Sequence, residues 1–192
     1  MQFPVNLNLD GRPCLVVGAG RIALRKTEQL LECGAAVTVV APLVHEGFRA
    51  LPVSVVEREY RTGDPVGFRL VITATANRSV DQQIYDEAEA LGIWVNSADD
   101  PDRCAFTLPS VVRRGALMLT ASTGGASPAL SSWLRRRLEQ EFGDEWAAVV
   151  NDLALERARI HADGLSTEGL DWTPLIEQAI ARRVTAHEVE AR

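Results

Sequence analysis

The fold is decided by one stretch, Cys14-Leu15-Val16-Val17-Gly18-Ala19-Gly20-Arg21-Ile22-Ala23. Its first four residues are apolar without a break, which suits a strand buried on both faces of a parallel sheet. Two glycines follow at once. From Ile22 to Cys33 the residues Ala23, Thr27, Leu30 and Leu31 fall at the i, i+4, i+7, i+8 spacing of one buried helical face. The turn between them matches G-x-G-x-x-G/A. In that pattern Gly18 permits the tight turn, Gly20 lets a pyrophosphate approach the backbone, and Ala23 allows helix and strand to pack closely. The unbonded N–H groups and positive end of the helix then face the phosphates. A strand before the motif and a helix after it predict a dinucleotide site and argue against a merely tight turn.

Working outward, Gly34 closes the helix as a C′ residue, and Val37 to Val40 supplies the second strand of a βαβ unit. Val53 to Glu57 and Leu70 to Thr75 read as a third and a fourth strand. Ser79 with Gln82 three residues on fits a capping box, opening a helix to about Leu91. Ile93 to Ser97 is the fifth strand. This alternation predicts a Rossmann-type doubly wound parallel sheet of α/β class. Past residue 104 the pattern changes. Ala105 to Leu108 and Leu117 to Ala121 read as strands, joined only by Val111-Val112-Arg113-Arg114-Gly115. Ser127-Pro128 is a helix start, and the helix to about Phe142 carries Leu130, Trp133, Leu134 and Leu138 on one side. Asp144 to His161 and Pro174 to about Glu190 read as two more helices. The expected division is a nucleotide domain at 1–110, a smaller α+β region at 111–148 and a helical carboxyl-terminal region at 149–192.

Charge and composition narrow the function. The chain has 192 residues, a formal net charge of −6 and a pI near 5.1, which argues against binding nucleic acid or an anionic membrane surface. No apolar run approaches the ~20 residues that span a bilayer. Cys14, Cys33 and Cys104 are scattered, with no CxxC pair and no leader segment, so reduced thiols in a cytoplasmic protein are expected. The histidines are equally scattered and suggest no zinc site.

Candidate residues cluster where strands end, because ligands of open α/β sheets bind at the carboxyl ends of the strands. The second strand should end in an acid for the ribose 2′-hydroxyl, yet it reads Val40-Ala41-Pro42-Leu43. The motif alone therefore does not choose NAD over NADP. Thr75 and Asn77 lie at the carboxyl end of the fourth strand, where ligand contact and turn or cap chemistry are equal readings. Asn96 and Asp99 lie at the carboxyl end of the fifth; Asp99 reads either as an acid or base within reach of a substrate or as part of a solvated acidic turn, and Asp100 and Asp102 read as solvated loop. Ser122-Thr123-Gly124-Gly125 is a second glycine-rich passage from strand to helix. Lacking the G-x-x-x-x-G-K-[ST] form it is no ATP-binding loop; it reads either as a cradle of backbone donors for an anionic group or as a plain connection. Arg113 and Arg114 are candidates for substrate carboxylates. The Arg135-Arg136-Arg137 run reads as a solvated helix face.

Together these segments resemble the precorrin-2 dehydrogenase family, the amino-terminal half of bacterial sirohaem synthase with its stand-alone and yeast relatives. The resemblance rests on Phe3-Pro-Val-Asn-Leu7, Val17-Gly-Ala-Gly-Arg-Ile-Ala-Leu-Arg-Lys26, Val95-Asn-Ser-Ala-Asp-Asp-Pro101, Phe106-Thr-Leu-Pro-Ser110 and Ser122-Thr-Gly-Gly-Ala-Ser-Pro128. It covers roughly residues 1–150, without the methyltransferase domain of the fused enzymes, as in the stand-alone form. It implies oxidation of the tetrapyrrole precorrin-2 to sirohydrochlorin, with NAD as hydride acceptor. In some members it also implies insertion of Fe2+, as substrate metal, into the product. The resemblance makes Asp99 the essential acid, and a metal contact if the chain is a chelatase. It adds Arg21, Ile22, Pro42 and Leu43 to Gly18, Gly20, Thr75 and Asn96 as cofactor contacts, and leaves Ser122, Thr123, Gly124, Gly125 and Arg113 for the substrate. It implies a homodimer formed through 111–148, consistent with the apolar Leu130/Trp133/Leu134 face. The competing readings are an NAD(H)-sensing regulatory module and a dehydrogenase of another small molecule.

Overall fold

A computed structural model describes residues 2–98 and 100–185. It divides into two units, Met1–Leu108 and Pro109–Arg192; the second takes in both regions expected beyond residue 110.

The first unit is built on five parallel strands: β1 (Pro13–Val17), β2 (Ala36–Ala41), β3 (Ser54–Glu57), β4 (Leu70–Thr73) and β5 (Trp94–Ser97), in the order β3-β2-β1-β4-β5. Helix α1 (Arg21–Glu32) follows β1, and α2 (Arg78–Ala90) joins β4 to β5. The unbroken apolar run of β1 is explained by its two covers. Cys14 and Val16 pack with Ala23, Leu30 and Phe48 on the α1 side. Leu15 and Val17 pack with Ile84, Ala88 and Val95 on the α2 side. Burial on both faces is the condition that favours continuous apolar runs over alternation.

Helix α2 starts differently from the expectation. Its cap is Asn77, whose side chain accepts from Ser79 N at 3.1 Å and Val80 N at 3.4 Å. Ser79 is therefore already helical, and Gln82 bonds Asp86 and Arg103 and closes no capping box. An Asn two residues upstream can take the place of the Ser because Asn and Ser cap about equally well, and Ala76 before it supplies the turn, with φ +59°.

In the second unit, β6 (Ser110–Arg114) and β7 (Leu117–Ala121) form an antiparallel hairpin, with Gly115 at φ +57° in its turn. The expected roles of 105–108 as strand and 111–115 as connection are thereby reversed. Ala105–Leu108 is no strand, held instead by Ala105 N donating to Val95 O at 2.8 Å and a single Asn96–Cys104 bridge. Helix α3 (Pro128–Glu141) packs on this hairpin, and α4 (Trp146–Ala162) packs against α5 (Thr173–Ile180), which runs on into a wide turn, Ala181–Thr185. Leu130 and Trp133 on α3 are 47% and 52% exposed in the chain. The expected continuation to Glu190 falls outside the described residues beyond 185.

Candidate functional site

The parallel register places Val17 beside Val40 and Thr73, and Thr73 beside Ser97. The carboxyl ends of four strands therefore share one edge, and the candidate residues of the first unit follow directly from it.

The glycine turn is locked against that edge. Gly18 adopts φ +99°, and a Cβ there would lie 2.3 Å from Ala74 O; only glycine meets both demands. Gly18 N donates to Val40 O at 2.9 Å, and His45 N to Ala19 O at 3.0 Å, so the segment after β2 wraps beside the turn. Gly20 is different. It is the N-cap of α1 with φ −83° and no side-chain cap, and a Cβ there would meet nothing within 4 Å. The first-turn N–H groups of α1 thus have no capping side chain, over open space that a Cβ would fill. That is the arrangement an incoming pyrophosphate requires, so the residues present fit a dinucleotide. Arg21 and Ile22 open the helix exposed, as do Pro42 and Leu43 after β2, Leu43 at 85%.

The loop after β4 is held by a buried acid that the sequence reading does not single out. One Asp81 oxygen accepts from the hydroxyls of Thr73 and Thr75 (2.7 Å for Thr75) and from Thr75 N at 3.4 Å. Thr75 Oγ1 also accepts from Asn77 N at 3.1 Å. Asp81 fixes the very backbone, Ala74–Thr75, against which Gly18 is packed. Its one signal in the sequence is an acid in the first turn of a helix, where Asp commonly serves the dipole alone.

The loop after β5 is braced as densely. Asn96 is buried, and its amide donates to Phe106 O at 2.9 Å and Cys104 Sγ at 3.3 Å. The Cys104 thiol donates to the carbonyls of Ser97 and Asp100 at 3.3 and 3.2 Å, and burial above all pushes its pKa up. Arg103 is buried, paired with Asp100 and donating to Gln82 Oε1 at 2.7 Å. Asp99 lies outside the described residues. Its neighbours are fixed: Ala98 N donates to Thr73 O at 2.8 Å, and Arg103 holds Asp100.

In the second unit, Ser122–Gly125 form the turn between β7 and α3. Gly124 N donates to Ser122 Oγ at 3.2 Å, and Thr123 Oγ1 accepts from Ser127 N at 3.0 Å and lies 3.2 Å from Ser131 Oγ. Gly124 and Gly125 take φ +61° and +89° in open space. Arg113 on β6 donates to Met118 Sδ at 3.3 Å. The described residues contain no group of three or more His, Cys, Asp or Glu side chains that could hold a metal ion. No described helix is long and apolar enough to cross a membrane.

Residues 5–110 match a family model described as putative NAD(P)-binding, and residues 114–141 match one described as sirohaem biosynthesis protein, central. A siroheme synthase of Nitrosococcus oceani is 36% identical over 197 residues, covering 99% of this chain and 42% of the relative. A siroheme synthase of Methylococcus capsulatus is 41% identical over 163 residues, 82% of this chain and 34% of the relative. The chain thus spans about two-fifths or less of the length of these curated relatives. A solved structure titled SirC, precorrin-2 dehydrogenase, superposes with a TM-score of 0.73 at 25% identity, covering 96% of this chain and 100% of that one.

Proposed function

The chain belongs to the putative NAD(P)-binding family matched over residues 5–110, and on that premise we propose that it is an NAD-dependent dehydrogenase oxidising precorrin-2 to sirohydrochlorin in sirohaem biosynthesis. The observation that carries this reading is the open, uncapped glycine cradle on a chain that superposes along the whole of a precorrin-2 dehydrogenase. The reaction removes a hydride and a proton from the macrocycle, and NAD+ when bound accepts the hydride. The protein's task is then mainly to position one planar molecule over another.

Gly18, Gly20, Arg21 and Ile22 hold the pyrophosphate; Pro42 and Leu43 flank the adenosine half. Thr75, kept in place by Asp81, faces the nicotinamide end, with Asn96 bracing the floor below it. Asp99 takes the departing proton on a carboxylate oxygen. Ser122, Thr123, Gly124, Gly125 and Arg113 receive carboxylates of the tetrapyrrole. The exposed Leu130 and Trp133 of α3 support a homodimer through the second unit. The setting is the cytoplasm, where thiols stay reduced. Insertion of Fe2+ as a substrate, with Asp99 as its contact, is the finer expectation; formation of sirohaem from sirohydrochlorin and Fe2+ by the purified protein tests it.

The deciding experiment is anaerobic turnover of precorrin-2 with NAD+, followed by sirohydrochlorin absorbance. Asp99→Asn should still bind NAD+ while turnover falls by at least about a hundredfold, the scale of a lost general acid–base group. Wild-type turnover in that variant removes Asp99 from the chemistry. NAD+ binding with no turnover by the unaltered protein would favour a sensing module.

A further inference from the structure

A pocket of about 330 Å³ lies beside the glycine turn at the outer end of the sheet, lined by Pro42, Leu43, His45, Phe48, Arg49 and Glu57 among others. Its size falls within the range of small-ligand pockets. Phe48 forms a buried floor, and the His45 N bond to Ala19 O ties its wall to the turn. This is the side on which the adenosine half of a dinucleotide seated at Gly18–Ala23 must extend, because it lies beyond β2. The second strand ends without the acid that ordinarily takes the ribose 2′-hydroxyl. The third strand ends in one. Glu57 is the last residue of β3 and stands in register with Ala41, the last of β2, one strand spacing of roughly 4.8 Å away.

We propose that Glu57 does the work of the missing acid, accepting a hydrogen bond from the adenosine ribose and repelling a 2′-phosphate, so that this chain selects NAD over NADP. The inference rests on the dinucleotide reading given above and sharpens it. Two observations support it. Glu57 is exposed, and its side chain makes no hydrogen bond or ion pair among the described residues, so its carboxylate is available. The adjacent cation does not neutralise it, because Arg58 is committed to Asp64 through two hydrogen bonds of 2.7 Å. Arg49 also lines the pocket, and a basic residue there by itself welcomes a 2′-phosphate. The carboxylate of Glu57 in the same pocket works against that attraction, and the balance between the two charges sets the preference.

That opposition makes the test sensitive. In Glu57→Gln the acceptor loses its charge while Arg49 stays, so affinity for NAD+ and NADP+ should move in opposite directions. Isothermal titration of the full chain with NAD+, NADP+ and nicotinamide hypoxanthine dinucleotide reads this without turnover. NAD+ binding should weaken about tenfold, the scale of a hydrogen bond to a charged group. NADP+ binding should tighten several-fold, and the hypoxanthine analogue should weaken as NAD+ does. An NAD+/NADP+ ratio unchanged within about twofold overturns the proposal. So does a loss seen with NAD+ but not with the hypoxanthine analogue, which would make Glu57 a reader of the adenine amino group. If the unaltered chain binds neither dinucleotide, the dinucleotide reading fails first. Glu57 is exposed on an edge strand, so the variant keeps its fold.

Discussion

The molecule contains two passages from strand through glycines to helix, and they are built in opposite ways. At the first, the fold dictates the turn: Gly18 is hemmed by a backbone carbonyl 2.3 Å from where a Cβ would sit, yet the helix behind it has no side-chain cap. At the second, Gly124 and Gly125 turn in open space, yet the helix is capped from within, since Ser127 Oγ accepts from Leu130 N at 3.3 Å. The first keeps a rigid shape and leaves its donors open. The second has a free shape and has already used part of its donors. A helix start built on the first plan offers its uncapped donors to an anion, whereas one on the second is stable alone and offers a ligand only its remaining backbone groups.

The largest expected effect breaks the comparison most directly. Gly18→Ala sets a Cβ against the Ala74 carbonyl at positive φ and should cost about 4 kcal/mol, in the range reserved for strain at a special backbone position. Gly124→Ala carries a positive φ into open space and should cost only about 1–2 kcal/mol. Urea denaturation of the two variants checks this, and equal losses would mean that φ alone, not the packed carbonyl, sets the demand. Gly20→Ala comes next, with its effect on the ligand. It should weaken NAD+ about a hundredfold, or ~2.7 kcal/mol, while unfolding shifts by about 1 kcal/mol or less, since Ala is only a poorer cap than Gly. Calorimetric titration beside a melting curve separates the two readouts. Unaltered NAD+ affinity would place the pyrophosphate elsewhere. Asp81→Ala follows, leaving the buried Thr73 hydroxyl without its partner at about 2 kcal/mol. Because Asp81 also shapes Ala74–Thr75, NAD+ binding should weaken with it.

Much of the first passage is legible in the sequence because each of its residues answers a local demand. Continuous apolar residues at Cys14–Val17 announce burial on two faces, and the glycine spacing announces the turn. What is not legible depends on partners distant in sequence. Asp81 reads as a helix acid until Thr73 and Thr75 are seen beneath it. Glu57 is only the last residue of the third strand until the register sets it beside Ala41. The hairpin at Ser110–Ala121 is hidden for a local reason: Arg113-Arg114-Gly115 has the composition of a loop. In fact Arg114 is drawn in, its Nε donating to Phe142 O at 2.8 Å at the end of α3. Conversely Ala105–Leu108 has the composition of a strand but finds no ladder to join.

The smallest effect probes the second passage. Ser127→Ala removes the cap of α3 and should cost about 1 kcal/mol. Ser127→Asp should restore it, because a carboxylate caps as well and also favours the positive end of the helix. The restored variant then carries a negative charge where the proposed substrate brings carboxylates. If the Ser122–Gly125 turn receives them, Ser127→Asp should melt like the unaltered protein while KM for precorrin-2 rises several-fold and Kd for NAD+ stays unchanged. Restored stability with an unaltered KM would reduce the second passage to a connection between strand and helix. The substrate's carboxylates would then have to be met by side chains such as Arg113 on the hairpin, and the contrast between the two turns would be one of ligand binding against none.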